Sequence, residues 1–201
     1  MSTELRQELR RLAVTAGRFL RSARATAAVE FAFIVPVLIT LYLGSMEISQ
    51  ALDTDKRVSR TAGMIADLVT QQESVTRSQL IAITRIGDST LAPYSRSLPT
   101  TTIVAVQVSA TSTPQALVAW SIRRQGTTVT TPLAKGSVVS LPPSLTTPGA
   151  FLIKVTTELD YVPVTTWSVK GTASADTFVL PMGNTYYLRP RLVNTIACSD
   201  C

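Results

Sequence analysis

A long apolar run near the N-terminus dominates the hydrophobic pattern of the chain. Residues 31–46 read FAFIVPVLITLYLGSM without a charge, and residues 25–29 extend the run backwards with only Glu30 between them. A helix of about 22 residues is roughly 33 Å long at a rise of 1.5 Å per residue, which is enough to cross the hydrocarbon core of a bilayer. The pattern therefore predicts one transmembrane helix over residues 25–46.

Helical periodicity continues past the end of the apolar run. Between residues 48 and 69, apolar positions recur on one helix face, and the charged positions lie mostly elsewhere. This face comprises Ile48, Leu52, Val58, Ala62, Ile65, Leu68 and Val69. We therefore expect residues 47–70 to continue the anchor as an amphipathic helix that packs on a domain. Pro36 should kink the membrane part, because proline removes one intrahelical hydrogen bond.

The pattern beyond residue 70 predicts a small α+β domain over residues 71–201. Thr76 and Gln79 have the spacing of a capping box, and the apolar positions that follow predict a short helix ending at Gly87 and Asp88. Residues 104–108, 118–122 and 153–161 alternate apolar and polar side chains, which predicts strands with one face on a core and one in water. Residues 178–180 and 186–196 predict a last hairpin with its turn at residues 181–184.

These elements together predict the architecture of the domain. Strands that follow one another with short polar connections favour an antiparallel sheet, here of about four or five strands. The amphipathic half of the long helix has an apolar face that must be buried, and the sheet offers the matching apolar face. The sequence therefore predicts an α+β fold in which the outer half of the long helix covers a small antiparallel sheet.

Basic residues concentrate before the apolar run. The formal charge of the chain is +6, and residues 1–24 supply +4 of it, from six arginines less two glutamates. The arginines are Arg6, Arg10, Arg11, Arg18, Arg21 and Arg24. Arginine beside a membrane helix marks its cytoplasmic end, whereas nucleic-acid binding needs basic residues spread over a folded surface among aromatic ones. The distribution predicts a basic cytoplasmic tail at residues 1–24, a single-pass topology and no nucleic-acid partner.

A cleavable secretory signal is an alternative interpretation of the same segment. A basic region followed by an apolar stretch has that form, and Ser49-Gln50-Ala51 is a passable cleavage site that would leave a secreted protein beginning at Leu52. Two features favour an uncleaved anchor. Glu30 lies near the start of the apolar segment, and the helical periodicity continues straight through the proposed cut.

Glu30 is the one charged residue within residues 25–46. A carboxylate at membrane depth is costly, so such a residue suggests a functional role. One interpretation places it solvated at the cytoplasmic interface. The other pairs it with a positive group on the helix of a neighbouring subunit, which would fix the axial register of an assembly.

Candidate catalytic chemistry is sparse. The sequence has no histidine, the residue that most often transfers protons near neutral pH, and it has no phosphate-binding loop or nucleophile motif. Glu158 and Asp160 share one strand face with Lys154, and an exposed charge ladder explains them better than a catalytic carboxylate pair does. The sequence therefore predicts a protein that is not an enzyme, with no cofactor and no metal.

The C-terminal region carries two further candidates. Cys198 and Cys201 form the sequence Cys-Ser-Asp-Cys, which in an oxidising compartment closes a small disulfide loop. The alternatives are a redox site or half of a metal site, and a zinc site would need two more ligands, although the chain has no other cysteine and no histidine. Arg189 and Arg191 could hold an anion, or they could pair with acidic neighbours.

Several motifs of the chain resemble the TadE/TadG-like group, the pseudopilins of the Tad (tight adherence) pilus machinery, in its alphaproteobacterial form. The longest motif is ATAAVEFAFIVP over residues 25–36, and shorter ones follow in the same order along the chain. These are Ala66-Asp67-Leu68-Val69, Ala119-Trp120-Ser121, Tyr161-Val162-Pro163 and Tyr187-Leu188-Arg189-Pro190-Arg191, followed by Cys198.

The resemblance implies a pilin-like fold and a structural role in a Tad-type (type IVc) pilus. It implies a minor pseudopilin or assembly component that is anchored in the inner membrane lipid, with its C-terminal domain in the periplasm. Its partners would be other pilin-like subunits and the Tad assembly platform. The alternative function is a single-pass membrane-anchored periplasmic binding or enzyme domain unrelated to pili.

The resemblance also implies a processing site. In that family a prepilin peptidase cuts on the cytoplasmic side of the apolar segment, after a residue that lies five positions before the glutamate and is preferably glycine. The matching residue here is Ala25, a departure from the family pattern, and Thr26 would become the new N-terminus. The freed amine of Thr26 would then be a charge partner for Glu30 of a neighbouring subunit. The alternative is an unprocessed subunit that remains anchored from Met1.

Overall fold

The computed structural model describes residues 23–164 and 178–201. The chain divides into two compact units, residues 1–48 and 49–201. Helix α1 spans Ala23–Thr70 and contains Pro36, and its end at Thr70 confirms the predicted end of the amphipathic segment. Residues 1–22, with most of the predicted cytoplasmic tail, lie outside the described residues.

Two helices and seven strands follow one another in the described part of the chain, together with a short 3-10 helix at Pro143–Leu145. After α1 the elements are β1 (Ser74–Val75), α2 (Arg77–Thr90), β2 (Thr100–Val108), β3 (Ala116–Gln125), β4 (Thr128–Thr130), β5 (Phe151–Tyr161), β6 (Leu180–Leu188) and β7 (Ala197–Cys198). Five strands form one antiparallel sheet in the order β4-β3-β2-β5-β6, and β1 pairs with β7 in a separate parallel ribbon. The predicted α+β class and strand number are confirmed.

The outer half of α1 covers the sheet, as its apolar face predicts. Ala62, Ile65, Ala66 and Val69 are fully buried in one cluster with residues of three central strands. Those strand residues are Ile103, Ala105, Trp120, Ile122, Phe151, Ile153 and Val155. Small and β-branched side chains on the helix allow it to lie close to the sheet, and burial of this apolar area is the main stabilising term of the unit.

A β-bulge changes which side chains of β3 face the helix. Ala105 pairs with Trp120 but Val106 pairs with Val118, so Ala119 has no partner on β2. The extra residue shifts the alternation by one, because successive strand residues point to opposite faces. As a result the Trp120 side chain lies on the sheet face that α1 covers, whereas Val118 belongs to a second cluster on the opposite face of the sheet.

The second face of β2 and β3 is also buried, which differs from the prediction of one face in water. Val104 and Val106 pack there with Leu133, Val139 and Leu141 from the loop that follows β4. The alternating pattern assigned Val104 and Val106 to the main core, but Ile103 and Ala105 occupy that position instead. A loop that returns over a sheet leaves no periodic signal in the strand sequence, so the pattern alone could not reveal it.

The prediction of a final hairpin is wrong. Pro181 and Gly183 lie inside β6, where they pair with Asp160 and Glu158 of β5 in one uninterrupted register. Proline and glycine are strong turn signals, yet both are tolerated on an edge strand, where the outer backbone groups need no partner strand. β6 is such an edge strand of the sheet.

Helix α2 begins as predicted and is longer than predicted. The Thr76 side chain accepts a hydrogen bond from the Gln79 backbone N–H at 3.3 Å, and the Gln79 side chain accepts one from the Thr76 N–H at 2.9 Å. This capping box satisfies two N-terminal donors. The helix continues through Gly87 to Thr90, and the absence of a side chain at Gly87 allows α2 to lie close to α1 at this position.

We expect Gly87→Ala to destabilise the domain. A Cβ at this position would lie 2.7 Å from Ile65 Cδ1 and 2.9 Å from Thr61 Cγ2, both on α1. Overpacking of this kind costs about 1–3 kcal/mol, which exceeds the helix propensity that alanine gains over glycine, about 1 kcal/mol. Urea unfolding followed by tryptophan fluorescence measures the difference.

Gly63→Ala is the matched control for this substitution. Its Cβ would meet the Tyr186 ring at 3.6 Å, an ordinary contact, inside helix α1. The gain in helix propensity should therefore leave stability unchanged or raise it by up to about 1 kcal/mol. Equal effects of the two substitutions would show that the close approach at Gly87 does not limit packing.

Candidate anchoring and assembly site

The apolar half of α1 exposes large hydrophobic side chains around its circumference. Phe31, Phe33, Leu41 and Tyr42 are each between 65% and 75% exposed. In the described part of the chain, this is the one helix long and apolar enough to cross a membrane, and its most apolar window has a mean hydropathy of 2.0 with no residue buried. A helix that is apolar all round requires lipid or other helices around it.

The hydroxyl groups of Thr40 and Ser45 are satisfied within the helix. Thr40 Oγ1 donates to the Pro36 carbonyl oxygen at 2.8 Å, and Ser45 Oγ donates to the Tyr42 carbonyl oxygen at 2.8 Å. Bonds of this kind to the preceding turn lower the cost of placing hydroxyl groups in an apolar medium. Pro36 has no N–H to donate to the Ala32 carbonyl, so this turn of the helix lacks one backbone hydrogen bond.

Glu30 is the exposed carboxylate of this segment. It lies in α1 six positions before Pro36, and its side chain is exposed along with those of its helical neighbours. Ala25 and Thr26 lie one turn earlier in the same helix, where the structure describes the backbone but not the side chains. The four predicted assembly and processing residues therefore share the first turns of one helix.

The two cysteines lie in the other unit and are bonded to each other. Cys198 and Cys201 form a disulfide, so the loop interpretation is confirmed and neither sulfur offers a thiolate to a metal ion in this state. Between them, the Asp200 carboxylate accepts a hydrogen bond from the Arg77 N–H at 2.6 Å. The loop thereby holds the C-terminal segment against the first turn of α2.

The C-terminal segment also connects motifs that are far apart in the sequence. The Arg191 guanidinium pairs with Asp67 of α1, and the Arg191 N–H donates to the Thr70 carbonyl at 3.0 Å. Trp120 Nε1 donates to the Ile196 carbonyl at 2.8 Å. Arg191 thus pairs with an acidic neighbour, as one of the two interpretations held.

The strand carboxylates are arranged differently from the predicted ladder. Glu158 and Asp160 are exposed, but Glu158 lies 3.9 Å from Arg123 of β3. Lys154 lies over the Tyr187 ring of β6, 5.8 Å from its centroid. Exposed ion pairs at such distances contribute little, and nothing in this arrangement resembles a catalytic pair.

One polar pocket was not found from the sequence. It lies between α1 and the loop after α2, and it contains Arg57, Tyr94 and Arg96. We call it the Arg96 pocket and define it by Asp53 and Arg57 of α1 with Leu91, Pro93, Tyr94 and Arg96 of the loop. Single arginines and tyrosines in a loop carry no periodic or motif signal, so only the folded chain brings them together.

The fold and the exposed helix define an α+β protein that carries an N-terminal helix able to span a membrane. Residues 25–67 of that helix match the family model of TadE-like protein. The resemblance inferred from the sequence is therefore confirmed over this segment. No curated protein and no solved structure matches the chain.

Proposed function

We propose that the chain is a structural minor pseudopilin, a non-enzymatic assembly component of a Tad-type pilus. The observation that carries this proposal is the TadE-like match over residues 25–67, which covers the exposed apolar helix and nearly all of its docked extension. The helix would pack among other pilin-like helices, and the sheet domain would lie on the outer side of the membrane.

The proposed location is the inner membrane, with the N-terminus in the cytoplasm and residues 71–201 in the periplasm. The arginine-rich residues 1–24 support this orientation through the positive-inside rule. The disulfide between Cys198 and Cys201 is in keeping with an oxidising compartment for the domain.

Glu30 is the proposed assembly residue. A carboxylate in an apolar helix gains most when it meets a positive group inside the membrane, because an unpaired charge there is costly. The amine of Thr26 on a neighbouring subunit would supply that group after cleavage behind Ala25 by a prepilin peptidase. Glu30 pairing would then set the axial register between subunits, and Pro36 would allow local bending.

Co-purification tests the proposal. The full chain, tagged at its C-terminus, is extracted in detergent from cells that make the Tad pilus components. We expect the major pilin and the membrane assembly platform to co-purify, and we expect Glu30→Gln to reduce their recovery at least about fivefold, since a charge-assisted contact is lost. Glu73→Gln, which neutralises an exposed carboxylate after α1, is the matched control.

The outcome also separates the alternatives. A detergent-solubilised monomer that retains no pilus component would refute the assembly role and favour an anchored binding or enzyme domain. The mature N-terminus, read by intact mass, distinguishes the processing states: Thr26 for a processed pseudopilin, Met1 for an anchored subunit, Leu52 for a secreted protein. A start at Leu52 would refute the anchor itself.

A further inference from the structure

The Arg96 pocket has a preorganised aromatic platform. The rings of Tyr94 and Tyr161 stack with their centroids 5.4 Å apart, and the Arg96 guanidinium carbon lies 4.8 Å from the first centroid and 5.4 Å from the second. The Tyr94 hydroxyl donates to the Asp160 carbonyl at 3.1 Å and accepts from the Val162 N–H at 2.8 Å. The platform is therefore fixed to the end of β5, and it holds the guanidinium by cation–π contacts.

The opposite wall of the pocket is equally fixed. Arg57 donates to Asp53 at 2.8 Å and, through its terminal nitrogen, to the Ala92 carbonyl at 2.9 Å. Beneath them Leu91 packs with the buried side chains of Val58 and Leu159. The cavity between the walls measures about 240 Å³, smaller than the roughly 300–1,000 Å³ that encloses drug-sized ligands. It suits a small polar group rather than a whole large molecule.

Arg96 is the uncompensated charge of the pocket. Asp53 neutralises Arg57, whereas within residues 27–164 and 178–201 no carboxylate lies within salt-bridge distance of Arg96. The Arg96 Nε–H is buried without a hydrogen-bond acceptor. A buried donor on a cation is satisfied best by an anionic oxygen, and guanidinium groups bind phosphate in particular.

The pocket is also close to the proposed anchor along the chain. Gln50, which lines it, follows Met46 by four residues, and even a fully extended chain of that length spans only about 14 Å. The headgroup layer of a bilayer is about 5–8 Å thick on each side of the hydrocarbon core. Long arginine side chains can extend from the protein towards that layer. The lining of the pocket therefore begins no more than about 14 Å from the end of the proposed membrane-spanning segment, which makes lipid headgroups a candidate ligand.

We propose that the Arg96 pocket binds the phosphate of an anionic phospholipid headgroup in the leaflet that faces the domain. Arg96 donates to the phosphate oxygens, Arg57 lies alongside, and the exposed Pro93 contacts the apolar part of the headgroup region. With a net charge of +1 the pocket favours a headgroup without an ammonium, such as phosphatidylglycerol, over phosphatidylcholine. The proposal rests on the membrane anchorage of the proposed function, but it does not depend on pilus assembly.

Native mass spectrometry of the full chain in detergent tests this proposal. The protein is titrated with phosphatidylglycerol, phosphatidylcholine of the same acyl chains, or inorganic phosphate, and bound molecules are counted. We expect phosphatidylglycerol to be retained about tenfold more than phosphatidylcholine, since both carry the phosphate but only phosphatidylcholine brings an ammonium group beside the positive charge of the pocket, and about 1.4 kcal/mol of repulsion corresponds to that factor. Arg96→Gln should remove the preference, whereas Arg60→Gln, at an exposed position on α1 and outside the pocket, should keep it.

A second variant acts in the opposite direction and does not disturb the aromatic platform. Asp53 is 62% exposed, and Asp53→Asn frees Arg57 from its ion pair, so phosphatidylglycerol retention should rise. The basic tail attracts anionic lipid equally in every variant, so it cannot produce these differences. Equal losses in Arg96→Gln and Arg60→Gln, or no rise in Asp53→Asn, would overturn the pocket assignment. Displacement of lipid by inorganic phosphate at equal concentration would show a free-anion site instead and overturn the lipid assignment.

Discussion

Two arginines in the apolar half of α1, introduced as Leu38→Arg with Leu41→Arg, should remove most of the protein from the membrane fraction. Leu38 and Leu41 are 56% and 65% exposed on the helix, near the middle of residues 27–46. Each arginine at the centre of a membrane helix costs about 2.5–3.5 kcal/mol on insertion scales, and each lost leucine adds about 0.5 kcal/mol. The combined penalty of roughly 6–8 kcal/mol is comparable to the whole favourable insertion energy of the segment.

Carbonate extraction followed by immunoblotting measures this effect. The matched control is Leu98→Arg with Leu192→Arg, because these leucines are 63% and 64% exposed in the unit formed by residues 49–201. That control should remain in the membrane fraction like the unaltered chain. Retention of the α1 variant at the unaltered level would show that residues 27–46 do not cross the bilayer.

The second large effect is expected at the contact between α1 and the sheet. Ile65 is fully buried among strand side chains and also lies against Gly87 of α2. Its side chain therefore contributes to the packing of α1 on the sheet and to the packing of α1 on α2. Truncation of a buried isoleucine to alanine removes apolar contacts and leaves a cavity, at a cost of about 2–5 kcal/mol. Many domains have a total stability of only about 5–15 kcal/mol, so Ile65→Ala should leave a substantial unfolded fraction in mild urea.

Urea unfolding of the full chain in detergent, followed by tryptophan fluorescence, gives the free energy of unfolding. Ile86→Ala is the control, because Ile86 is 51% exposed on α2 in the same unit. Its cost should stay within about 0.5 kcal/mol, as for other exposed positions. Similar costs for the two substitutions would mean that the outer half of α1 does not depend on the sheet for its stability.

Elements with strong local signals could be predicted from the sequence. Helix α1 ends at Thr70 as its periodicity indicates, and α2 starts at the capping box of Thr76 and Gln79. Strand β5 also follows its alternation, with Ile153, Val155 and Leu159 buried. Each of these features depends on interactions between residues only a few positions apart, so the local sequence pattern is sufficient to predict it.

Features that depend on distant partners could not be predicted. The bulge at Ala119 changes the orientation of Val118 relative to Trp120, and no local pattern marks it. Pro181 and Gly183 signal a turn, but their position at the sheet edge allows them in a strand. At both places the pairing between strands determines the structure, although the local sequence favours regular alternation in β3 and a turn at Pro181 and Gly183.

The sequence by itself determined the apolar helix, its charged flank and its carboxylate at Glu30, because length, hydropathy and arginine asymmetry are properties of one continuous segment. It also determined the TadE-like resemblance of residues 25–67. Only the tertiary structure decided that Arg191 pairs with Asp67, that the loop after β4 buries the second sheet face, and that Arg57 and Arg96 share one pocket. The physical reason is that such contacts join residues tens of positions apart, and their geometry exists only once the helix has packed on the sheet.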